Sequence, residues 1–283
     1  MTIAHANGID IYYEEHGPAD ADPVLLIMGL GGSAAAWAPQ IPALADRYHV
    51  IALDNRGVGR TSKPAGPYTI AQMAEDAVAV LDACGVASAH VIGASMGGMI
   101  AQELALRRPE RVRSLVLACT TPGGPHSASY ERMVERAQEA QAIESLEIAP
   151  ERMQEMMLEL FTPEFIASPS ASFMQWVGAS LQYPPSLEGL RAQLDAVAAH
   201  DTYDRLPQIA APTLVIAGDA DTLVDARNAP ILAARIPGAE LRLFPKLRHG
   251  FTAEQPEQVN AVLLDFLGRH AGAAAPAQGA AHA

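Results

Sequence analysis

An abrupt strand-to-helix turn is the feature of this sequence that most constrains its fold. Val91-Ile92 is short, apolar and β-branched, which predicts a buried strand, and apolar residues recur at helical spacing from Met96 to Leu106. Between them lies Gly93-Ala94-Ser95-Met96-Gly97, a match to G-x-S-x-G. Such a corner strains the backbone, and small residues on either side relieve the crowding. We therefore predict that Ser95 projects from the top of a sheet as a candidate nucleophile, at the positive end of the next helix; the alternative is a tight turn with a satisfied hydroxyl.

Strands and helices alternate along most of the chain, which predicts an α/β fold with a mostly parallel, twisted sheet and helices on both faces. Apolar runs predict further buried strands at 24–28, 49–53, 112–118, 213–217 and 240–244. Helical patterns occupy 34–45, 69–84, 226–235 and 256–270. The first of these is interrupted by Pro39 and Pro42, and the second has Thr69 as a cap and Gly85 as a stop. Alternating runs around Asn7-Gly8 predict an antiparallel hairpin at the start.

The strand pattern is interrupted once, by a long helical segment. From 120 to 205 the sequence is rich in Met, Phe and Pro and contains no clear strand. We therefore expect an α/β core at 1–119 and 206–270, with a helical cap at 120–205. Residues 271–283, AGAAAPAQGAAHA, are of low complexity and predict a disordered tail.

Composition and charge exclude several classes of protein. A chain of 283 residues, 49% hydrophobic, is long enough for one large α/β domain with an insertion. Its net charge of −13 is unfavourable for binding nucleic acid or an anionic membrane. Cys84 and Cys119 have no metal-binding spacing, so we expect reduced thiols. No secretory signal and no apolar run of about 20 residues is visible, which favours a cytoplasmic location. The oligomeric state is not predicted.

A serine hydroxyl needs a base to act as a nucleophile, and the base needs an orienting acid. In strand–turn–helix nucleophile folds these partners follow in the order serine, acid, histidine. Of the nine histidines, only His249 both follows Ser95 in this order and comes directly after a predicted strand. The acid is Asp219, Asp221 or Asp225, each of which follows the strand at 213–217. Asp219 could simply cap a turn, and we favour Asp221.

The tetrahedral intermediate of acyl transfer also requires donors for its oxyanion. We expect one from the backbone N–H of Met96, directly after the nucleophile, and the other from the loop Gly29-Leu30-Gly31-Gly32. Leu30 is the preferred donor and Gly29 the next choice. The alternatives for this loop are a plain flexible turn or part of a phosphate loop, but no GxxxxGK[ST] motif occurs. No HExxH pattern occurs either, so we expect neither a metal nor a cofactor.

Together these motifs resemble the α/β-hydrolase fold superfamily, over nearly the whole length to about His270. The motifs are Met28-Gly29-Leu30-Gly31, Asp54-x-Arg56-Gly57-x-Gly59-x-Thr61, Gly93-x-Ser95-x-Gly97-Gly98, Gly218-x-x-Asp221 and His249. The block around Ser95 is similar to the carboxylesterase and 3-oxoadipate enol-lactonase branch. The resemblance implies Ser95 as nucleophile, Asp221 as acid and His249 as base. Many relatives have His-Gly or Asn-Ser where this chain has Met28-Gly29.

These observations predict a serine hydrolase acting on small, mainly apolar carboxylic esters or lactones. Alternatives on the same triad are an enol-lactone hydrolase, a carbon–carbon bond hydrolase and a cofactor-free haloperoxidase or perhydrolase. A ligand-binding receptor on this scaffold is the non-enzymatic alternative. We expect Gly29 to contact the substrate, together with cap residues that either line an acyl pocket or join the cap to the core. The principal cap residues are Phe161, Met174 and Trp176, with Phe165, Phe173 and Tyr183 as further ones.

The charges of the cap bear on the choice of substrate. An enol-lactonase must hold a substrate carboxylate, which calls for an arginine or comparable donors. The cap contains five arginines, of which most alternate with Glu at helical spacing, as on a solvated helix face. Met153, Met156 and Met157 nearby favour a wall that adapts to uncharged acyl chains. We therefore expect a neutral substrate.

Overall fold

The centre of the fold is an eight-stranded β-sheet. The computed structural model describes residues 2–142, 144–146, 150–273 and 275–276, apart from a few side chains between 150 and 181. Within the described residues the strands are β1 (Thr2–Ala6), β2 (Ile9–His16), β3 (Pro23–Ile27), β4 (His49–Leu53), β5 (Ala89–Ala94), β6 (Val112–Ala118), β7 (Thr213–Gly218) and β8 (Glu240–Phe244). Their order across the sheet is β1-β2-β4-β3-β5-β6-β7-β8. Pairing is parallel from β4 to β8 and antiparallel only for β1–β2 and β2–β4.

The predicted hairpin and the predicted helix caps are confirmed. Asn7 and Gly8 both have positive φ, 52° and 74°, as a two-residue hairpin turn requires. Thr69 accepts a hydrogen bond from the N–H of Gln72 at the start of the second helix. Gly85 follows the end of that helix with φ +68°. These features can be predicted from the sequence because each depends on only a few neighbouring residues.

Helices cover both faces of the sheet. They are α1 (Ile41–Ala45), α2 (Ile70–Ala83), α3 (Met96–Arg107), α4 (Tyr130–Gln141), α5 (Pro150–Leu160), α6 (Pro163–Ala167), α7 (Ala171–Gln182), α8 (Leu187–Ala198), α9 (Asn228–Arg235), α10 (Phe251–Glu254) and α11 (Pro256–Arg269). In β3, Leu25 and Ile27 pack into the core beside α2 and α3, whereas Val24 and Leu26 pack into the core beside α11. The mostly parallel sheet with two covered faces is therefore confirmed.

One predicted helix differs from the structure. The segment 34–45 is split into a 3-10 helix, Ala34–Trp37, and the short helix α1. Pro39 and Pro42 explain the break, because proline has no N–H to donate and tolerates only the first helical turn. Pro42 lies in the first turn of α1. The other predicted elements agree with the structure to within about two residues at each end.

Helices α4 to α8 and a 3-10 helix, Tyr203–Gln208, lie between β6 and β7. We call residues 120–205 the helical insertion. Among its described residues, the only β pairing is an isolated bridge between Gly123 and Asp201. Residues 271–273 and 275–276 carry no helix or strand, and the rest of the predicted disordered tail lies outside the described residues. None of the helices in the described part of the chain has the length and apolar character needed to cross a bilayer.

His90 and His200 are two of the buried histidines of the fold. His90 lies on β5, where its Nδ1 is 2.8 Å from the Ser114 hydroxyl oxygen, and His200 follows α8. The Nε2 atoms of both rings are buried and have no partner within the described structure. Burial disfavours the charged imidazolium and lowers the pKa of each ring to about 4. Both histidines are therefore neutral in the folded protein at neutral pH.

This burial predicts a loss of stability in mild acid. Each ring has a folded pKa of about 4 and an ordinary value of 6.5, so the unfolded chain binds more protons between these values. The free energy of unfolding should be highest above pH 6.5 and fall toward pH 4, by about 3 kcal/mol per histidine. His200→Leu should reduce the slope by about 1 kcal/mol per pH unit between pH 6 and 4.5. Urea unfolding of both proteins across this range measures the slopes, and parallel curves would contradict the expectation.

Candidate active site

Ser95 occupies a strained corner between β5 and α3. Its backbone has φ 57° and ψ −122°, a conformation that costs a non-glycine residue on the order of 1–3 kcal/mol. A Cβ at Gly93 would lie 2.2 Å from the carbonyl oxygen of Gly97, and one at Gly97 would lie 2.0 Å from that of Ile27. Only glycine fits at either position, as the G-x-S-x-G pattern predicted. The Ser95 N–H donates to the carbonyl of Ala118 at 2.8 Å, which joins the corner to β6.

Asp221 and His249 form a buried hydrogen-bonded pair. Asp221 follows β7 and His249 follows β8, and Nδ1 of His249 lies 2.7 Å from Oδ2 of Asp221. The other oxygen, Oδ1, accepts from the N–H groups of Leu223 and Val224 at 2.9 and 3.1 Å. The carboxylate side chain is fully buried and the histidine side chain is 9% exposed. A carboxylate can only accept, so Nδ1 carries the proton and Nε2 of the neutral ring is left as a base.

The other two candidate carboxylates have different partners. Asp219 accepts from the backbone N–H of Lys246 at 2.5 Å and so holds the turn after β8. Asp225 pairs with Arg227 at 2.7 Å. That ion pair lowers the pKa of the Asp225 carboxyl group. The structure thus brings Asp221, rather than Asp219 or Asp225, into contact with His249.

Strand order brings Ser95 to the same edge of the sheet as this pair. Strands β5, β6, β7 and β8 are parallel neighbours, so their carboxyl ends meet at one edge. Cys119 directly follows β6, the strand between β5 and β7, and has φ 41°. Burial raises the pKa of the Cys119 thiol, the Asp221 carboxylate raises it further, and a hydrogen bond from the Ser95 backbone lowers it. The Cys119 thiol is therefore a buried, neutral group.

The loop after β3 lies directly against Ser95. A Cβ at Gly29 would be 2.8 Å from Cβ of Ser95 and 3.3 Å from its Oγ. Asn55 donates through Nδ2 to the carbonyl of Met28 at 2.8 Å and fixes the start of the loop. Within the described residues, the N–H groups of Leu30 and Met96 donate to no protein acceptor. Two backbone donors are therefore free on the two elements that flank the serine, as an oxyanion site requires.

The predicted substrate-contacting residues of the insertion are dispersed. Phe161 is only 1% exposed and packs against Phe165 and Phe173, with ring centroids 5.4 and 5.1 Å away. Met174 is 57% exposed, and the side chain of Trp176 lies outside the described residues. Phe161 is therefore placed for packing, and the side chain of Met174 faces solvent. Gly29 lies beside Ser95, and its contact with a substrate stays a prediction.

Tyr183 has a partner that its sequence does not indicate. Its ring stacks on the guanidinium of Arg60, with 4.2 Å between the guanidinium carbon and the ring centroid. The same guanidinium lies 3.6 Å from the ring centroid of Tyr12 on β2. Arg60 therefore joins the insertion to the core, and Tyr183 is used in that contact.

Comparison with known proteins identifies the family. The family model described as alpha/beta hydrolase fold matches residues 22–256. This chain belongs to the α/β hydrolase fold family. A protein of Azorhizobium caulinodans named "Putative carbamate hydrolase RutD" is 37% identical over 269 residues, which cover 95% of this chain and 98% of that protein. The predicted superfamily is therefore confirmed.

Two solved structures extend the comparison. A hydrolase from Pseudomonas aeruginosa is 32% identical with a TM-score of 0.84, covering 94% of this chain and 98% of that one. The enol-lactonase from Burkholderia xenovorans is 28% identical with a TM-score of 0.84, covering 94% of this chain and all of that one (100%). Among the described residues, His, Cys, Asp and Glu side chains form no group that could hold a metal ion.

The Asp221–His249 contact gives a test that separates the nearby carboxylates. Asp221→Asn replaces one acceptor oxygen by a donor, so it should disturb the histidine tautomer and lower kcat by about 10³- to 10⁴-fold. Asp219→Asn, two residues away, leaves the contact intact and should change kcat by less than about threefold. Steady-state kinetics of both variants with a chromogenic ester measure the difference. Equal losses would argue against a special role for Asp221.

Proposed function

We propose that this α/β hydrolase is a serine hydrolase that cleaves small, uncharged carboxylic esters or lactones through an acyl-enzyme on Ser95. The observation that carries the proposal is the Asp221–His249 pair, buried at the same sheet edge as the strained Ser95. A buried carboxylate that holds Nδ1–H leaves Nε2 free to accept a proton. The two free amides beside Ser95 supply the remaining requirement of acyl transfer.

The proposed reaction has two halves. As Oγ of Ser95 attacks the ester carbonyl carbon, Nε2 of His249 takes the hydroxyl proton and Asp221 stabilises the imidazolium. The carbonyl oxygen becomes an oxyanion that accepts from the N–H groups of Leu30 and Met96. Collapse of the intermediate breaks the bond to the leaving alcohol, which receives the proton from His249. Water then attacks the acyl-serine with His249 as base, and the acid leaves as Ser95 regains its proton.

The charges of the insertion favour a neutral substrate. Each of its five arginines is engaged by carboxylates or backbone carbonyls of the protein. Arg132 and Arg136 bind Glu159, Arg152 binds Glu155, Arg191 binds the carbonyls of Ala140 and Gln141, and Arg205 binds Glu103. Among the described residues of the insertion, only Arg152–Glu155 follows the spacing along one helix that the sequence predicted. The pairs with Glu159 join α4 to α5. A substrate carboxylate would have to displace one of these partners, at a cost in binding.

An apolar cluster next to the proposed base supports the same conclusion. The ring of Phe161 lies against Gly250, the residue after His249, and Met157, Leu160, Phe165 and Val177 pack around it. A flexible methionine beside aromatic rings adapts to acyl chains of different shape. The surroundings of His249 on this side are therefore apolar, which favours an uncharged substrate over one with a carboxylate.

Carbamate hydrolysis is the second candidate. The relative from Azorhizobium caulinodans carries that activity in its name and aligns over nearly its whole length. A neutral carbamate presents the same carbonyl to Ser95 and would give a carbamoyl-serine instead of an acyl-serine. Because nitrogen donates electrons to the carbamoyl carbon, its hydrolysis by water is slower. Multiple turnovers of p-nitrophenyl carbamate, faster than those of p-nitrophenyl acetate, would favour this candidate.

Replacing the proposed nucleophile is the direct test. Ser95→Ala should keep the fold and lower kcat by roughly 10⁴- to 10⁶-fold, from the behaviour of serine triads. A fluorophosphonate probe should label wild-type protein on the peptide that contains Ser95. An active enzyme whose Ser95 stays unlabelled would overturn the mechanism. If the folded wild type shows no labelling and no turnover, that result would favour a ligand-binding receptor.

Substrate charge can be tested with a pair of esters of similar shape. We expect kcat/KM for p-nitrophenyl 4-methylpentanoate to exceed that for mono-p-nitrophenyl succinate by about 100-fold or more, from the cost of an unpaired carboxylate in a partly desolvated site. The spontaneous hydrolysis rate of each ester is subtracted as the control. A preference for the succinate of tenfold or more, lost in Arg136→Gln, would instead restore the enol-lactonase alternative.

A further inference from the structure

A glutamine of the insertion holds the loop that carries the proposed oxyanion donor. Gln193 lies on α8 and is fully buried, at 0% exposure. Its Oε1 accepts from the N–H of Gly31 at 2.9 Å, and its Nε2 donates to the carbonyl of Arg56 at 2.8 Å. One side chain therefore ties the insertion to both core loops that border the site, those after β3 and after β4.

Leu30 lies between two fixed points. On one side, Asn55 holds the carbonyl of Met28 at 2.8 Å, and on the other, Gln193 holds the N–H of Gly31. Gly31 has φ +67°, a conformation that favours glycine and in which the chain turns sharply. With both neighbours fixed, the peptide plane that carries the Leu30 N–H has little freedom to rotate. The direction of that N–H is therefore set partly by a residue of the insertion.

The backbone around Gln193 is itself held against the core. The N–H of Ser186 donates to the carbonyl of Gly57 at 3.2 Å. A Cβ at Gly189 would lie 2.5 Å from the same carbonyl oxygen, so α8 approaches the loop as closely as glycine permits. These contacts pre-position the glutamine, so it loses little conformational freedom on bonding to Gly31.

We propose that Gln193 is a positioning residue that aims the Leu30 amide at the oxyanion and so makes catalysis depend on the docked insertion. The proposal rests on the proposed function, because only an acyl-transfer reaction uses that amide. Gln193 does not touch the substrate; it acts through Gly31 and the adjoining peptide. Losing it should weaken transition-state binding more than ground-state binding.

A merely structural glutamine would behave differently. Gln102 is the matched case in this chain: it is also fully buried, donates to the carbonyls of Gly98 and Thr121, and accepts from the hydroxyl of Thr202. It joins α3 to the segments at the ends of the insertion without bonding to the loop after β3. Gln102→Leu and Gln193→Leu should both lower stability, but only the second should lower turnover per active site.

The experiment compares wild type with Gln193→Leu, Gln193→Glu and Gln102→Leu, with rates divided by active sites titrated with the fluorophosphonate. This division removes any unfolded fraction. We expect Gln193→Leu to lower kcat by about 10- to 100-fold with KM within about threefold, less than the loss of a whole oxyanion donor. Gln193→Glu keeps an oxygen that accepts from Gly31 and should lie between Leu and wild type. Gln102→Leu should stay within about threefold of wild type.

A transition-state analogue gives the second readout. An alkylboronic acid adds to a serine nucleophile and places a tetrahedral oxygen where the oxyanion forms. Its affinity should fall in Gln193→Leu by the same factor as kcat/KM, whereas affinity for the product acid should not change. Equal kcat losses in Gln193→Leu and Gln102→Leu, or unchanged boronate affinity, would overturn the role of Gln193. Failure of the proposed function is distinguishable, because the wild type would then form no covalent adduct at Ser95.

Discussion

The close packing of backbone at the end of β5 is the constraint on which the site depends. The chain turns from strand to helix at one residue, and this is possible only because Gly93 and Gly97 carry no side chain. The turn puts Ser95 in a left-handed conformation that its surroundings must stabilise. The bond from its N–H to Ala118 and the contact with Gly29 supply that support from the two neighbouring strands. The strained geometry at Ser95 thus depends on the sheet and not on the loop alone.

The Asp221–His249 pair solves a second physical problem, which is to keep a charge in the interior. An isolated buried carboxylate is costly, but this one receives hydrogen bonds from two backbone amides and from the imidazole. The loop after β7 is folded around Oδ1, which leaves Oδ2 directed at the ring. The same three bonds that reduce the cost of burial also fix the orientation of His249. The hydrogen bonds that stabilise the loop after β7 are therefore the same ones that the proposed chemistry requires.

The sequence was informative where structure is local and less so where it depends on packing between distant segments. The strands, the hairpin and the corner at Ser95 follow from periodicity and from glycine sterics, and the strand-end position of His249 follows from the alternation of elements. The pairing of Arg132 and Arg136 with Glu159, and the burial of Phe161, depend on how helices of the insertion meet. Gln193 lies 162 positions from Gly31, so no spacing rule could connect them. Asn55 occupies an unspecified position of the Asp54-x-Arg56 motif, which does not indicate its bond to the carbonyl of Met28.

The contacts of the insertion on either side of the site have a consequence for how far the insertion can move. Leu160 accepts a hydrogen bond from the N–H of Gly250, next to the proposed base, and Gln193 holds the loop on the opposite side. A rigid-body rotation of the whole insertion away from the core would break both attachments and expose the Phe161 cluster to water. Side-chain rotations of the exposed Leu30 and Met174 disturb neither attachment. Movement of the whole insertion as one body is therefore opposed at two separate places, whereas side-chain motion on its surface is not.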